Sequence, residues 1–168
     1  MNILIALSDQ YFGEAIVTFM RSRKWPVETR VQVMHAFEPT DGDPRQSKAN
    51  CVSRQVKLLE SIAYELKLHN PELKIETTLI FGKAAPSIIN QAKEGNADLI
   101  VMGSHGRKGL ERLLLGSVAM TVSAEANCSV AIVKPMKSCY LDVTLTEEDM
   151  PQSVCDINID QAMRIKSK

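Results

Sequence analysis

Short apolar segments alternate with longer amphipathic ones along most of this chain, and the alternation limits the folds that the sequence can adopt. A continuous apolar run of four to eight residues is typical of a strand that is buried on both faces of a sheet. Residues 74–80 alternate in polarity instead, which indicates a strand with one exposed face. We predict strands at residues 3–7, 30–36, 74–80, 99–102 and 130–133.

The segments between these strands have helical periodicity. Residues 47–69 give the strongest signal, because apolar residues recur every three or four positions from Val52 to Leu66 and form one face. Helices are predicted at residues 13–24, 47–69, 83–94 and 116–126. Strands separated by helices of this length pair in parallel through right-handed crossovers. The sequence therefore predicts an α/β fold, an open doubly wound five-stranded parallel sheet with helices on both faces.

The composition is that of one globular domain. Of 168 residues, 45% are apolar and 24% are charged, and the 20 basic and 20 acidic residues cancel. We therefore expect neither nucleic acid nor a membrane among the partners. The first ten residues have no basic segment before their apolar run, which argues against a signal peptide, and the four cysteines lack the spacing of a metal site. A cytoplasmic location is expected.

Four of the eight glycines lie between residues 103 and 116, directly after the fourth predicted strand. Gly103 ends that strand, Gly106 lies in a polar segment, and Gly116 with Ser117 opens the next helix. Glycine lets backbone N–H groups approach an anion closely, and a helix N-terminus favours negative charge. The pattern predicts a phosphate-binding site. Its spacing matches neither G-x-x-x-x-G-K-[ST] nor G-x-G-x-x-G.

Several segments, in the same order along the chain, resemble one family. The spacing G-x2-G-x9-G-[ST] after the fourth strand resembles that of ATP-binding members of the universal stress protein family. The opening MNILIALS and the later segments MHAFEP, ADLIVMG and AIVKP resemble strands of the same family. The resemblance covers residues 1–135 and implies a nucleotide-binding domain with the strand order 3-2-1-4-5. Residues 136–168 form a C-terminal tail outside it.

The resemblance also implies a pocket for ATP, either alone or with Mg²⁺. Gly106 would let the backbone approach the phosphates, and Gly116, Ser117 and Val118 would offer N–H groups at the start of a helix. Ser8 stands where ATP-binding members usually carry aspartate. The residues expected to contact the nucleotide are Ser8, Asp9, Ala36, Met102, Gly103, His105, Gly106, Arg107, Gly116, Ser117 and Val118.

The sequence near the glycines contains no recognisable catalytic set. It has no nucleophile beside a base and no carboxylate cluster to hold Mg²⁺, so we expect slow ATP hydrolysis at most. Binding would instead act as a nucleotide-dependent switch in stress response or signalling. Two alternatives stay open. One is an interaction module of this family that no longer binds nucleotide, and the other is an adenylating enzyme, for which neither H-x-G-H nor K-M-S-K-S is present.

The fifth strand lies at a sheet edge in the order that the resemblance implies. Val130, Ala131, Ile132 and Val133 are all apolar, and an exposed edge of this kind favours pairing with another chain. We therefore predict a homodimer through this strand, with an unknown protein partner in addition. Residues 136–168 are either a flexible tail or contain a strand at 141–145 that adds to a sheet edge.

Overall fold

The computed structural model describes residues 1–38, 48–104 and 115–134. The strands are β1 Asn2–Leu7, β2 Arg30–Phe37, β3 Lys74–Phe81, β4 Leu99–Gly103 and β5 Ser129–Val133. The helices are α1 Gln10–Arg21, α2 Lys48–His69, α3 Ala84–Glu94 and α4 Ser117–Glu125. The five strands and four helices predicted for residues 3–133 are present, with their ends displaced by at most three residues. None of these described helices is long and apolar enough to cross a membrane.

The five strands run parallel in one sheet, in the order β3-β2-β1-β4-β5. Both the predicted fold class and the expected strand order are confirmed. β1 is central, because Ile5 pairs with Val33 of β2 on one side and with Val101 of β4 on the other. From β1, the chain adds β2 and then β3 on one side of the sheet. It then crosses to the other side of β1 and adds β4 and β5. The direction of winding therefore reverses between β1 and β4.

The two faces of β1 contribute to two separate apolar layers. Ile3, Ile5 and Leu7 pack with residues of α1 and α2, whereas Leu4 and Ala6 pack with residues of α3 and α4. Successive side chains of a strand point to opposite faces, so a strand covered on both sides must be apolar throughout. Burial of each large aliphatic side chain contributes about 2 kcal/mol. This explains the continuous apolar run near the amino terminus.

The first helix begins three residues earlier than the sequence predicts. Asp9 is its N-cap, and a carboxylate oxygen of Asp9 accepts a hydrogen bond from the Phe12 backbone N–H at 3.0 Å. This bond satisfies one of the amides in the first turn that have no acceptor within the helix. Gln10 and Tyr11 are exposed, so apolar periodicity gives no sign of this first turn. The capping residue, not the apolar face, sets the start of α1.

One side chain of β3 that the sequence places on the exposed face is buried. Glu76 is exposed as expected, but Thr78 is only 8% exposed. The side-chain amide of Gln32 on β2 donates to Thr78 Oγ1 at 2.9 Å, and Gln91 of α3 donates to Gln32 Oε1 at 3.3 Å. A polar contact therefore links α3 to two strands of the sheet.

The one tryptophan of the chain lies just after α1, at the amino end of the sheet. Trp25 packs against the layer formed by α1 and α2, with its ring 6.4 Å from that of Phe19. Its indole N–H donates to the carbonyl oxygen of Met20 at 2.9 Å. The hydrogen bond satisfies the indole donor and ties the turn after α1 to the last turn of the helix.

Candidate functional site

The carboxyl ends of β1 and β4 frame the point at which the winding of the sheet reverses. Ser8 follows β1, and Ser104 follows β4. Ala6 and Met102 are paired near these ends, so the two strands finish side by side. In open α/β sheets, ligands bind in the crevice at this position. The predicted phosphate site therefore lies where the topology favours a ligand.

Gly103 allows α1 to pack directly on the end of β4. A Cβ at this position would lie 2.5 Å from Cδ1 and 2.6 Å from Cγ of Phe12, well inside van der Waals contact. Phe12 is itself buried, at 7% exposure, in the first turn of α1. Close packing against an aromatic ring thus accounts for this glycine, which the sequence assigned to the nucleotide pocket.

Ser104 joins three elements through its backbone. Its N–H donates to the carbonyl oxygen of Val133 at the end of β5, at 3.2 Å. Its carbonyl oxygen accepts a hydrogen bond from the N–H of Gly116, just before α4, at 2.8 Å. Ser104 is 3% exposed, so both bonds lie in the interior of the protein. We call this arrangement the Ser104 junction.

The start of α4 presents backbone donors beside the Ser104 junction. Gly116 is the N-cap, with φ −61° and ψ 150° and no side-chain capping bond, and its carbonyl oxygen accepts from Met120 N–H at 2.9 Å. The sequence assigned the Gly116 N–H to a phosphate, but Ser104 already accepts it. The N–H groups of Ser117 and Val118 lie in the first turn, where a helix supplies no acceptor. These two groups are the better donors for an anion.

The first strand brings Ser8 and Asp9 to the same edge of the sheet. Asp9 uses one carboxylate oxygen to cap α1, and its other oxygen accepts a hydrogen bond from the Ser8 hydroxyl at 3.3 Å. Both residues are half-buried. Asp9 therefore has a structural task at this position, and Ser8 is the residue that directly follows the strand.

The end of β2 is held against β1 by a buried histidine. His35 Nδ1 lies 2.9 Å from the carbonyl oxygen of Leu7, and His35 is 7% exposed. A carbonyl oxygen only accepts, so Nδ1 carries the proton. Ala36 follows, half-buried beside the layer under α3 and α4, and Met102 is buried in that layer. The backbones of β1, β2 and β4 are thus fixed on one side of the crevice.

Three of the predicted contact residues, His105, Gly106 and Arg107, lie outside the described residues, as does the tail at 136–168. Within residues 1–38, 48–104 and 115–134, no group of three or more His, Cys, Asp or Glu side chains is placed to hold a metal ion. The remaining predicted residues, from Ser8 to Val118, come from strand ends and a helix start that meet at one edge of the sheet.

Two residues of this edge were missed by the sequence interpretation. Phe12 gave no signal because its partner Gly103 is 91 positions away in the sequence. Ser104 was overlooked because its bonds to Val133 and Gly116 use backbone atoms, which give no signal in the sequence. The sequence signal that could have identified Ser104 is its position directly after Gly103, the glycine that ends β4.

The family model of the universal stress protein family matches residues 21–134 of this chain. The universal stress protein of Thermus aquaticus found beside a QAH/OAS sulfhydrylase gene region is 33% identical over 136 residues, which covers 79% of this chain and 98% of the relative. Universal stress protein MJ0531 of Methanocaldococcus jannaschii is 49% identical over 65 residues, covering 39% of this chain and 38% of that protein.

Solved structures with the same fold include protein MJ0577 of Methanocaldococcus jannaschii. It is 25% identical, with a TM-score of 0.66, and the alignment covers 82% of this chain and 97% of that one. The universal stress protein of Archaeoglobus fulgidus in complex with dAMP has a TM-score of 0.54 at 22% identity, covering 80% and 98%. A family protein of Arabidopsis thaliana with AMP bound has a TM-score of 0.59 at 15% identity, covering 82% and 93%.

Proposed function

The chain belongs to the universal stress protein family, and from that premise we propose that it binds an adenine nucleotide, ATP, in the crevice between β1 and β4. The observation that carries the proposal is the Ser104 junction, which holds the start of α4 beside the ends of β4 and β5. An anion placed there meets first-turn N–H groups and the positive end of a helix dipole. The relatives of Archaeoglobus fulgidus and Arabidopsis thaliana hold dAMP and AMP, which supports an adenine nucleotide as the ligand class.

The phosphates would lie at the start of α4. Ser117 is exposed and offers its hydroxyl and its N–H, and Val118 offers a second N–H. His105, Gly106 and Arg107 follow β4 in sequence and would complete the phosphate contacts. Hydrogen bonds to a charged phosphate are roughly twice as strong as neutral ones. The phosphate end would therefore supply most of the affinity.

The nucleoside would lie toward the ends of β1 and β2. Ser8 would offer a hydroxyl to the ribose, and the backbone of Ala36 would contact the adenine. A neutral hydroxyl makes a weaker hydrogen bond than the aspartate carboxylate that ATP-binding members carry. We therefore expect affinity to fall strongly from ATP to AMP and again to adenosine.

Nucleotide binding would act as a switch through β5. Ser104 bonds to both Gly116 and Val133, so a ligand that orders the start of α4 also acts on the end of the edge strand. Val130, Ala131 and Ile132 remain only half-buried in β5, and pairing with a second copy would cover them. The proposed protein is thus a homodimer in stress response or signalling, with slow hydrolysis at most.

The test measures binding of ATP, AMP and adenosine to the purified full chain by calorimetry, after acid extraction of any co-purified nucleotide. Gly116→Val should weaken ATP binding by at least about tenfold, because the added side chain enters the phosphate space. The backbone at Gly116 is ordinary extended chain that valine adopts easily, so the variant should fold. Ala124→Val, at an exposed position of the same helix, is the matched control.

Equal ATP affinity in Gly116→Val and the control would show that ATP does not bind at the start of α4. If the chain bound no nucleotide yet stayed dimeric, the alternative of a pure interaction module would replace this proposal; Ser8 in place of aspartate favours that alternative. Sedimentation at micromolar concentration tests the dimer directly. A monomeric mass there would exclude the homodimer.

A further inference from the structure

An open cavity lies at the amino end of the sheet, opposite to the proposed nucleotide site. Its volume is about 310 Å³, and it is bounded by the starts of β1, β2 and β3 and by the end of α3. This volume falls at the lower end of the range for small-molecule sites. The polar residues that line it are Asn2, Arg30, Gln32, Lys74, Glu76, Gln91 and Glu94.

The floor of this cavity is polar where a helix-covered sheet face is normally apolar. Gln32 of β2 is paired in register with Glu76 of β3. The Gln32 amide is held in place, since it donates to Thr78 at 2.9 Å and accepts from Gln91 at 3.3 Å. Fixed amides beside a half-open cavity provide oriented hydrogen-bonding groups, and they restrict the rotation of Gln91 above them.

The charges around the cavity are only partly neutralised by the protein. Lys74 forms an ion pair with Glu28. Within residues 1–38, 48–104 and 115–134, the Arg30 guanidinium and the carboxylates of Glu76 and Glu94 make no hydrogen bond or ion pair. Arg30 pairs with Lys74 and Gln32 with Glu76, so Arg30 and Glu76 are diagonal neighbours on the same face of β2 and β3. Arg30, Glu76 and Glu94 therefore line the same cavity without contacting one another, and the charge of Arg30 also helps to lower the pKa of Glu28.

We propose that this cavity binds a small zwitterion of the α-amino acid class. The ligand carboxylate meets Arg30, whose planar guanidinium accepts a carboxylate in two parallel hydrogen bonds. The ligand ammonium lies between Glu76 and Glu94, and the side-chain carbonyl of Gln91 is a further acceptor. A simple anion would be repelled by the two carboxylates, and a simple cation would leave Arg30 unpaired. A ligand that carries both charges complements the charged side chains that line the cavity.

The test uses the full chain, labelled with ¹⁵N, and a panel of the twenty L-α-amino acids at millimolar concentrations. At least one amino acid should shift the amide resonances of Gln32, Gln91 and Gly95, with a saturable dissociation constant. Arg30→Gln should weaken that binding by about tenfold to a hundredfold, as expected for loss of a charge-assisted pair. Arg21→Gln removes an exposed arginine outside the cavity and should leave the binding unchanged.

Two single-charge analogues of the strongest ligand complete the experiment. The N-acetylated amino acid lacks the ammonium, and the amino acid amide lacks the carboxylate, so each should bind at least about tenfold more weakly. Equal binding of either analogue would overturn the zwitterion assignment. The absence of saturable shifts, or equal weakening by Arg21→Gln, would overturn the site. No nucleotide is involved, so failure here would leave the proposed ATP site untouched.

Discussion

At the carboxyl end of the sheet, the bonds that hold α4 beside β4 and β5 come from backbone groups, whereas at the amino end exposed side chains add to the backbone bonds between neighbouring elements. The Ser104 junction uses only main-chain atoms, and Gly103 contributes by having no side chain. At the amino end, the Asn2 side chain donates to the carbonyl oxygens of Gly95 and Asn96 at 3.3 and 3.2 Å, and side chains also form the ion pair of Lys74 with Glu28.

This difference in bonding groups affects how each end of the sheet responds to pH and salt. Backbone hydrogen bonds do not titrate near neutral pH, so the carboxyl end can present donors to a ligand over a wide pH range. The amino end contains titrating groups: the hydrogen bond and charge of Lys74 lower the pKa of Glu28. Burial raises the pKa of the Cys128 thiol, and the nearby Asp98 carboxylate raises it further. Acid and salt should therefore weaken the ion pair of Glu28 with Lys74 at the amino end.

The largest expected effect comes from adding a side chain at the carboxyl end. Gly103→Val should lower the free energy of unfolding by about 2–3 kcal/mol, because its Cβ would overlap the Phe12 ring and force α1 away from β4. Urea unfolding, followed by circular dichroism, measures the change.

Gly103→Ala together with Phe12→Leu is the matched control for steric overlap. In a double-mutant cycle, the two changes should be less harmful together than the sum of the single changes, because leucine leaves room that the ring occupied. Strict additivity would show that the contact between Gly103 and Phe12 does not limit this position.

At the amino end, Asn2→Ala should cost about 1 kcal/mol. The substitution removes two exposed side-chain hydrogen bonds to the turn after α3. Asn2→Asp should cost more than Asn2→Ala, since a carboxylate cannot donate to the two carbonyl oxygens and would lie near Asp98, which accepts from the Asn2 backbone N–H at 2.7 Å. Chemical denaturation of both variants checks this order. The reverse order would mean that these bonds do not hold the turn.

The smallest effect should come from the exposed ion pair at the same end. The pKa of Glu28 is lowered from 4.5 in the folded state, so the pair stabilises the protein above that pH, and this contribution disappears as the pH falls below it. Between neutral pH and about pH 3, the wild-type melting temperature should therefore fall more than that of Glu28→Gln. High salt should reduce the same difference, because exposed pairs are screened.

Glu125→Gln removes an exposed carboxylate from α4 and serves as the control for the acid titration. Its melting temperature should follow that of the wild type across the pH range. If the melting temperatures of the wild type and Glu28→Gln changed in parallel with pH, the ion pair would contribute nothing to the pH dependence of stability.

The sequence predicted the elements and the place of the candidate site, because both depend on local patterns. Apolar runs and helical periodicity identified every strand and helix among the described residues, and the glycines after β4 indicated the edge of the sheet at which we propose the site. Strand order came from the family resemblance, since periodicity does not specify which strands are neighbours. The contacts that form the site could not be read from the sequence. Phe12 meets Gly103 and Ser104 meets Val133 only after the chain has folded, and Asp9 serves α1 as a cap.

Trp25 has a spectroscopic consequence. It is the only tryptophan in the chain, so the emission excited near its absorption edge comes from this one indole. The ring is partly sheltered, with its N–H bonded to Met20, and unfolding would expose it to water and shift its emission to longer wavelength. It lies at the end of the sheet opposite to the proposed ATP site, so its fluorescence should report global unfolding and stay insensitive to nucleotide. Every variant discussed above keeps this reporter.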